Sequence, residues 1–250
     1  MNNAIVSLIR GYTDPSSYDK LITRNLLLKE NVTSKFQINI PYVFFHEGNI
    51  SVDHQQYIKH ESQYDNMYFI DISKTWNKDV RGYIAMCMFH SYDIWDYCKD
   101  FDYIMRVDDD CHIQECNQDP FSKIEQNVFL HSILLHETNL DTNQSLPIYL
   151  EGLTGMKPEN FYHHYKPFPY TNVYVSNVDF WLDIEIQKLL KRITNCSWQK
   201  KYRWGDVAVL GSLLNIFAYD KTSNIEDMIY KHVSANEMID TSKNIRFNLP

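Results

Sequence analysis

Three consecutive carboxylates, Asp108, Asp109 and Asp110, follow directly on the short apolar run Tyr103-Ile-Met-Arg-Val107. Neighbouring carboxylates repel one another, so such a triplet persists only where water reaches it or a cation neutralises it. Hard divalent cations such as Mg²⁺ and Mn²⁺ take oxygen ligands and bridge carboxylates to phosphates, which makes this stretch a candidate metal and diphosphate site. A solvated loop is the plain alternative. The run before the triplet has the composition of a buried strand, and in open α/β sheets ligands bind beyond the carboxyl ends of the strands.

The elements that would position this corner can be read from apolar spacing. Ala4 to Leu8, Tyr42 to Phe45 and Met67 to Ile72 read as short strands, and Tyr18 to Leu28 and Val80 to Cys98 as helices. With Tyr103 to Val107 this alternation predicts a doubly wound, mainly parallel sheet flanked by helices. Later in the chain, Phe161 to Tyr170 is aromatic and proline-interrupted and reads as a loop along a cleft, or one packed over the core. A helix is expected from Leu182 to Arg192. Another is expected after Arg203-Trp-Gly-Asp206, with Asp206 as N-cap and Val207, Leu210, Leu214 and Phe217 on one face. No repeat, linker or domain boundary stands out.

Composition narrows the classes. With 250 residues, 44% of them hydrophobic, the chain can bury a proper core. A formal charge of −8 and the lack of a basic run argue against nucleic-acid binding. The apolar stretch Ala4 to Ile9 is too short to span a membrane, and no signal-like segment is expected. The five cysteines, Cys87, Cys98, Cys111, Cys116 and Cys196, form no CxxC pair and read as ordinary thiols.

Several segments, in order and at similar spacing, resemble the fungal-type Kre2/Mnt1 α-1,2-mannosyltransferase family of retaining GT-A glycosyltransferases. They are Ala4 to Arg10, Pro41 to Phe45, Tyr83-Ile-Ala-Met-Cys-Met-Phe89, Arg106-Val-Asp-Asp-Asp110, Asp119-Pro-Phe121, Ser176-Asn-Val-Asp179, Tyr202-Arg-Trp-Gly-Asp206 and Glu226 to His232. Arg203 to Asp206 is the most specific and the acidic triplet the least. The resemblance spans almost the whole chain and implies one compact GT-A domain over residues 1–250. Residues 1–121 would form the nucleotide-sugar-binding part, and 122–250 the acceptor side and the completion of the metal site.

By position, the resemblance implies metal ligation by Asp108, Asp110 and His232, with Mn²⁺ favoured over Mg²⁺ because imidazole joins carboxylate in the donor set. It implies that Asp179 stabilises charge at the anomeric carbon, that Tyr83 lies beside the nucleotide and the reacting centre, and that Trp204 and Asp206 face the acceptor. Arg10 and Arg106 would be guanidinium partners for the donor, together with Asp108, although Arg106 could equally pair with the neighbouring aspartates. Asp108 and Asp179 are each one methylene shorter than the family's glutamates.

The implied activity is transfer of mannose from GDP-mannose to a sugar hydroxyl of a glycan or glycoconjugate, forming an α-1,2 bond. The same fold with another nucleotide sugar such as a UDP-sugar, or a non-catalytic carbohydrate-binding relative, are the alternatives. A metal-dependent phosphohydrolase would explain the acidic cluster but not Arg203 to Asp206. The family implies the Golgi lumen. With no anchor expected, a soluble, cytoplasmic or viral relative is the other expectation, and the compartment stays open.

Overall fold

A computed structural model describes residues 1–80, 82–162 and 166–249. The strands are β1 (Asn3–Leu8), β2 (Tyr42–His46), β3 (Met67–Asp71), β4 (Tyr103–Val107), β5 (Cys111–Cys116), β6 (Phe129–His131), β7 (Leu134–Leu135), β8 (Phe168–Pro169), β9 (Val173–Asn177), β10 (Thr222–Asn224), β11 (Met228–His232), β12 (Glu237–Asp240) and β13 (Ile245–Asn248). The α-helices are α1 (Asp19–Leu28), α2 (Val52–Ser62), α3 (Gly82–Met88), α4 (Ile94–Tyr97), α5 (Leu140–Thr154), α6 (Val178–Leu182), α7 (Ile184–Asn195), α8 (Ser197–Tyr202) and α9 (Asp206–Phe217).

The central sheet has the order β10-β6-β9-β4-β1-β2-β3. β4, β1, β2 and β3 run parallel, while β9 is antiparallel to both β4 and β6. Both faces are covered, so the strands are apolar on both sides. Ala4, Val6, Val43, Phe45, Ile104 and Tyr174 face one core, with Trp95, Trp181 and the apolar side of α9. The alternate residues Ile5, Tyr42, Phe44, Met105, Val107, Val173 and Val175 face the other core, beneath α1. This is a doubly wound sheet, as expected, with one reversed strand.

A second sheet, β13-β12-β11-β5, is antiparallel. None of its strands is expected from the sequence, yet it matters most to the site, because His232 on β11 pairs directly with Cys111 on β5.

Helix boundaries follow local chemistry. Ser51 caps α2 by accepting from the backbone N–H of His54, and Asn177 caps α6 by accepting from that of Phe180. The helix expected over Leu182 to Arg192 is α7, which begins at Ile184 after a break at Asp183 that parts it from α6, and the Asp183 carboxylate takes the first free N–H groups of α7. Gly205, not Asp206, occupies the cap of α9. Phe217 is 44% exposed rather than part of a buried stripe, and α9 is buried nearly all round from Ala208 to Asn215. Among the described residues no helix is long and apolar enough to cross a membrane. All five cysteines are free thiols.

Candidate active site

β1 runs on through β2 and β3 to one side, and the chain returns to place β4 on the other side of β1. The carboxyl ends of β1 and β4 therefore flank the switch point of the sheet, where doubly wound proteins hold their ligands. A cleft of about 460 Å³ opens there, and among its lining residues are Arg10, Tyr12, Lys20, Glu47, Trp76, Tyr83, Asp109, Asp110 and Ser234.

The acidic corner divides its work. Along β4 alternate residues share a side, so Arg106 lies opposite the face of Met105 and Val107, and Asp108 follows it on the same side. The Arg106 guanidinium is buried and holds two carboxylates, with Nε 2.7 Å from Oδ1 of Asp108 and Nη1 2.6 Å from Oδ2 of Asp206. Thr171 donates to the same Asp206 oxygen at 2.9 Å. Burial acts to lower the Arg106 pKa, but Asp108 and Asp206 outweigh it and hold the guanidinium firmly charged. For Asp206 burial raises the pKa, but Arg106 leads the contacts that bring it below the usual carboxylate range. Arg106 is thus spent on joining the end of β4 to the start of α9 and does not line the cleft.

Asp110 has a different partner. Its Oδ2 lies 3.5 Å from Nε2 of His232 and accepts a short hydrogen bond from the Ser234 hydroxyl. Pairing of β5 with β11 produces this meeting, since it sets His232 opposite Cys111. The backbone N–H of Val233 also donates to the Asp110 carbonyl at 2.9 Å. Burial would raise the Asp110 carboxyl, but hydrogen bonds from His232 and Ser234 draw its pKa down to about 2. On His232, burial acts downward and is outweighed by Asp110, Asp108 and Glu237, so the imidazole sits above its ordinary value. Its Nδ1 lies 3.0 Å from the Tyr170 hydroxyl and 4.0 Å from Glu237 Oε2. These oxygens suit an Nδ1–H, so that loss of the Nε2 proton now shared with Asp110 would free Nε2 to join that carboxylate on a cation.

Asp110, Cys111 and His232 present ligand atoms all within 4.8 Å of one another. Burial holds the Cys111 thiol far above its ordinary pKa, so carboxylate and imidazole are the natural donors, a set that fits a borderline divalent ion such as Mn²⁺. The structure therefore brings Asp110 and His232 together as candidate ligands, while Asp108 stands one step back in its pair with Arg106.

Asp109 lines the cleft, its carboxyl raised to about 6 by burial and then by Asp110 and Asp108. Beneath the corner, buried Arg24 binds the Val107 carbonyl at 2.6 Å and the Ser7 hydroxyl at 2.5 Å. Its guanidinium adds positive charge below the triplet, and burial lowers its pKa to about 10.

The other candidates are placed as follows. Arg10 is exposed on the cleft at the end of β1. Tyr83 lies on the cleft wall, half exposed, with the Arg203 guanidinium 5.4 Å from its ring centre. Trp204 is fully buried and donates to the Ser145 hydroxyl at 2.8 Å, and Asp206 is buried in its ion pair, so neither side chain reaches the cleft.

Asp179 is not brought to the site. Because β9 is antiparallel, its carboxyl end lies beside Tyr103 at the start of β4, and the backbone N–H of Val178 donates to the Asp102 carbonyl. Asp179 is exposed at the edge of the sheet opposite the acidic corner. The expectation for Asp179 rests on the resemblance of Ser176-Asn-Val-Asp179 to a family segment, and the reversed course of β9 carries that segment to the far end of the sheet. Thr171 and Asn172, at the amino end of β9, are the residues that reach the corner, with Asn172 accepting from the Asp108 N–H at 2.9 Å. These two, with Ser234 and Glu237, escape sequence reading because no motif marks them. Within the aromatic stretch, His163, His164 and Tyr165 lie outside the described residues, Phe161 and Phe168 pack in the core, and Tyr170 serves His232.

No protein-family model and no curated protein matches the sequence. Solved structures do match. Core-mannan synthase A from Aspergillus fumigatus, in an Mn/GDP form, has a TM-score of 0.74 at 16% identity, covering 93% of this chain and 75% of its own. The Ktr4p mannosyltransferase from S. cerevisiae, in complex with GDP, has a TM-score of 0.73 at 18% identity, covering 92% of this chain and 71% of its own. Mouse xyloside xylosyltransferase 1 is more distant, with a TM-score of 0.53 at 9% identity, covering 90% of this chain and 85% of its own. At these identities the likeness establishes the fold. The chain has the GT-A glycosyltransferase fold, in one compact domain built on a mixed, mainly parallel sheet.

Proposed function

We propose that this protein is a divalent-metal-dependent retaining glycosyltransferase that moves mannose from GDP-mannose to a sugar hydroxyl of a glycan, forming an α-1,2 bond. The observation that carries this reading is the Asp110–His232 pair at the edge of a cleft over the switch point of a GT-A sheet. The fungal mannosyltransferases with the same fold, one in an Mn/GDP form and one with GDP, support the choice of donor and ion.

Asp110 and His232 would hold the ion, Mn²⁺ in preference to Mg²⁺, with Tyr170 and Glu237 orienting the imidazole. Such an ion, when bound, neutralises charge that gathers on a departing diphosphate. Arg10 and Lys20 supply cations on the cleft wall for the donor's phosphates, and Tyr83 closes its far side. Arg106 and Asp108 act as a brace for the corner. Residues 1–121 in this reading hold the donor, while 122–250 complete the metal site through His232 and form the acceptor side. Retention by same-face attack, in which the leaving phosphate takes the acceptor's proton, asks for no carboxylate at the cleft from Asp179 and so fits its place at the far end of the sheet.

Calorimetric titration of GDP with and without Mn²⁺, followed by hydrolysis of a panel of nucleotide sugars, tests the proposal. Mn²⁺-dependent GDP binding with turnover of GDP-mannose is expected. Turnover of UDP-sugars alone would sink the choice of donor, and tight GDP binding indifferent to metal would sink the role of Asp110 and His232.

A further inference from the structure

We infer that Glu47 reads the nucleobase of the donor and selects guanine; the inference rests on the reading of the cleft as a nucleoside-diphosphate site. Strand order carries the argument. The metal-side residues Asp109 and Asp110 follow β4, Arg10 follows β1, and Glu47 follows β2, in the lateral order β4-β1-β2. Two strand spacings separate the outer pair, about 10 Å, which is roughly the reach of a nucleotide from its diphosphate to its base. A diphosphate at Asp110 would pass Arg10 and bring its base to Glu47.

The local structure prepares Glu47 for this. It sits in the turn that leaves β2, where the Gly48 N–H donates to Nδ1 of buried His46 at 3.2 Å. Gly48 has φ +77°, and a Cβ there would lie 3.0 Å from the Asp71 carboxylate, so the turn is held close against β3. The Glu47 carboxylate is exposed in the cleft, and among the described residues no hydrogen bond or ion pair engages it. Tyr12, also in the cleft, is 37% exposed and braced edge-on by Tyr18 at 5.2 Å, which offers a flat surface to a base at the same end.

Ionised carboxylate accepts hydrogen bonds and donates none, through two oxygens side by side. Guanine presents two adjacent donors, N1–H and the exocyclic amine, and satisfies both oxygens. Uracil sets one N–H between two carbonyls, which would face the carboxylate with like partial charge. Adenine and cytosine offer an amine beside a bare ring nitrogen. A carboxylate in this place therefore favours guanine over every other common base.

Binding of GDP, inosine diphosphate, UDP and ADP, each with Mn²⁺, to the wild-type protein and to Glu47→Gln and Glu47→Ala decides the matter. The wild type is expected to prefer GDP over UDP by about tenfold or more, with inosine diphosphate, which lacks the amine, in between. Both variants should lose that preference while keeping UDP affinity within about twofold, since the phosphate and metal contacts remain. Equal GDP preference in wild type and variants, or a wild type that prefers UDP, would overturn the role of Glu47. A wild type that binds none of the four overturns the nucleotide reading itself.

Discussion

Nε2 of His232 stands 3.5 Å from Oδ2 of Asp110 because β11 pairs with β5 in the one register that sets His232 across from Cys111. A slip of one residue would turn the imidazole to the other face of the small sheet. The candidate ligand pair is therefore a property of strand pairing.

Replacing either partner, as Asp110→Ala or His232→Ala, is expected to weaken Mn²⁺ binding by about a hundredfold or more, while Tyr170→Phe, which frees Nδ1, costs about tenfold. Titration of free Mn²⁺ by electron paramagnetic resonance measures this. Unchanged binding in His232→Ala would remove the imidazole from the site.

Arg106 neutralises two carboxylates at once, the buried Asp206 and the part-buried Asp108. Arg106→Ala leaves Asp108 and Asp206 uncompensated and should cost about 3–5 kcal/mol of folding stability. Arg106→Lys keeps the charge but cannot fork between both acids, and should fall between the variant and the wild type. Urea unfolding gives the values, and a loss below about 1 kcal/mol would show that water or rearrangement relieves the pair.

Asp179→Asn is expected to leave kcat/KM for mannosyl transfer within about twofold of the wild type, since removing an interaction made in the transition state would cost far more. Asp179 lies at the opposite edge of the sheet, beside Asp102. A loss of several hundredfold would mean that the chain rearranges to bring it to the cleft.

Buried His131 sets a pH dependence of stability. Burial lowers its folded pKa from 6.5 to about 4. The unfolded chain takes up this proton below 6.5 and the folded one only near 4, so this contribution is complete above pH 6.5 and is lost as pH falls through that window. Unfolding at pH 7 and pH 5 should show the wild type losing about 2 kcal/mol more than His131→Leu over that interval. Equal losses would place the proton elsewhere.

The β4 run ending in Asp108 to Asp110, the parallel strands before it and the helices between them were legible from the sequence, because apolar alternation and helical spacing are local signals. Arg10 and Tyr83, placed by the family resemblance and by no local signal, also line the cleft. Tertiary structure alone decided the rest. Only pairing of β5 with β11 joins Asp110 to His232, and only burial shows Arg106, Trp204 and Asp206 to be committed inside. Strand direction is equally invisible to residue pattern, because period two is the same in both senses. The resemblance puts Asp179 at the site, and only the reversed course of β9 shows it at the other end of the sheet.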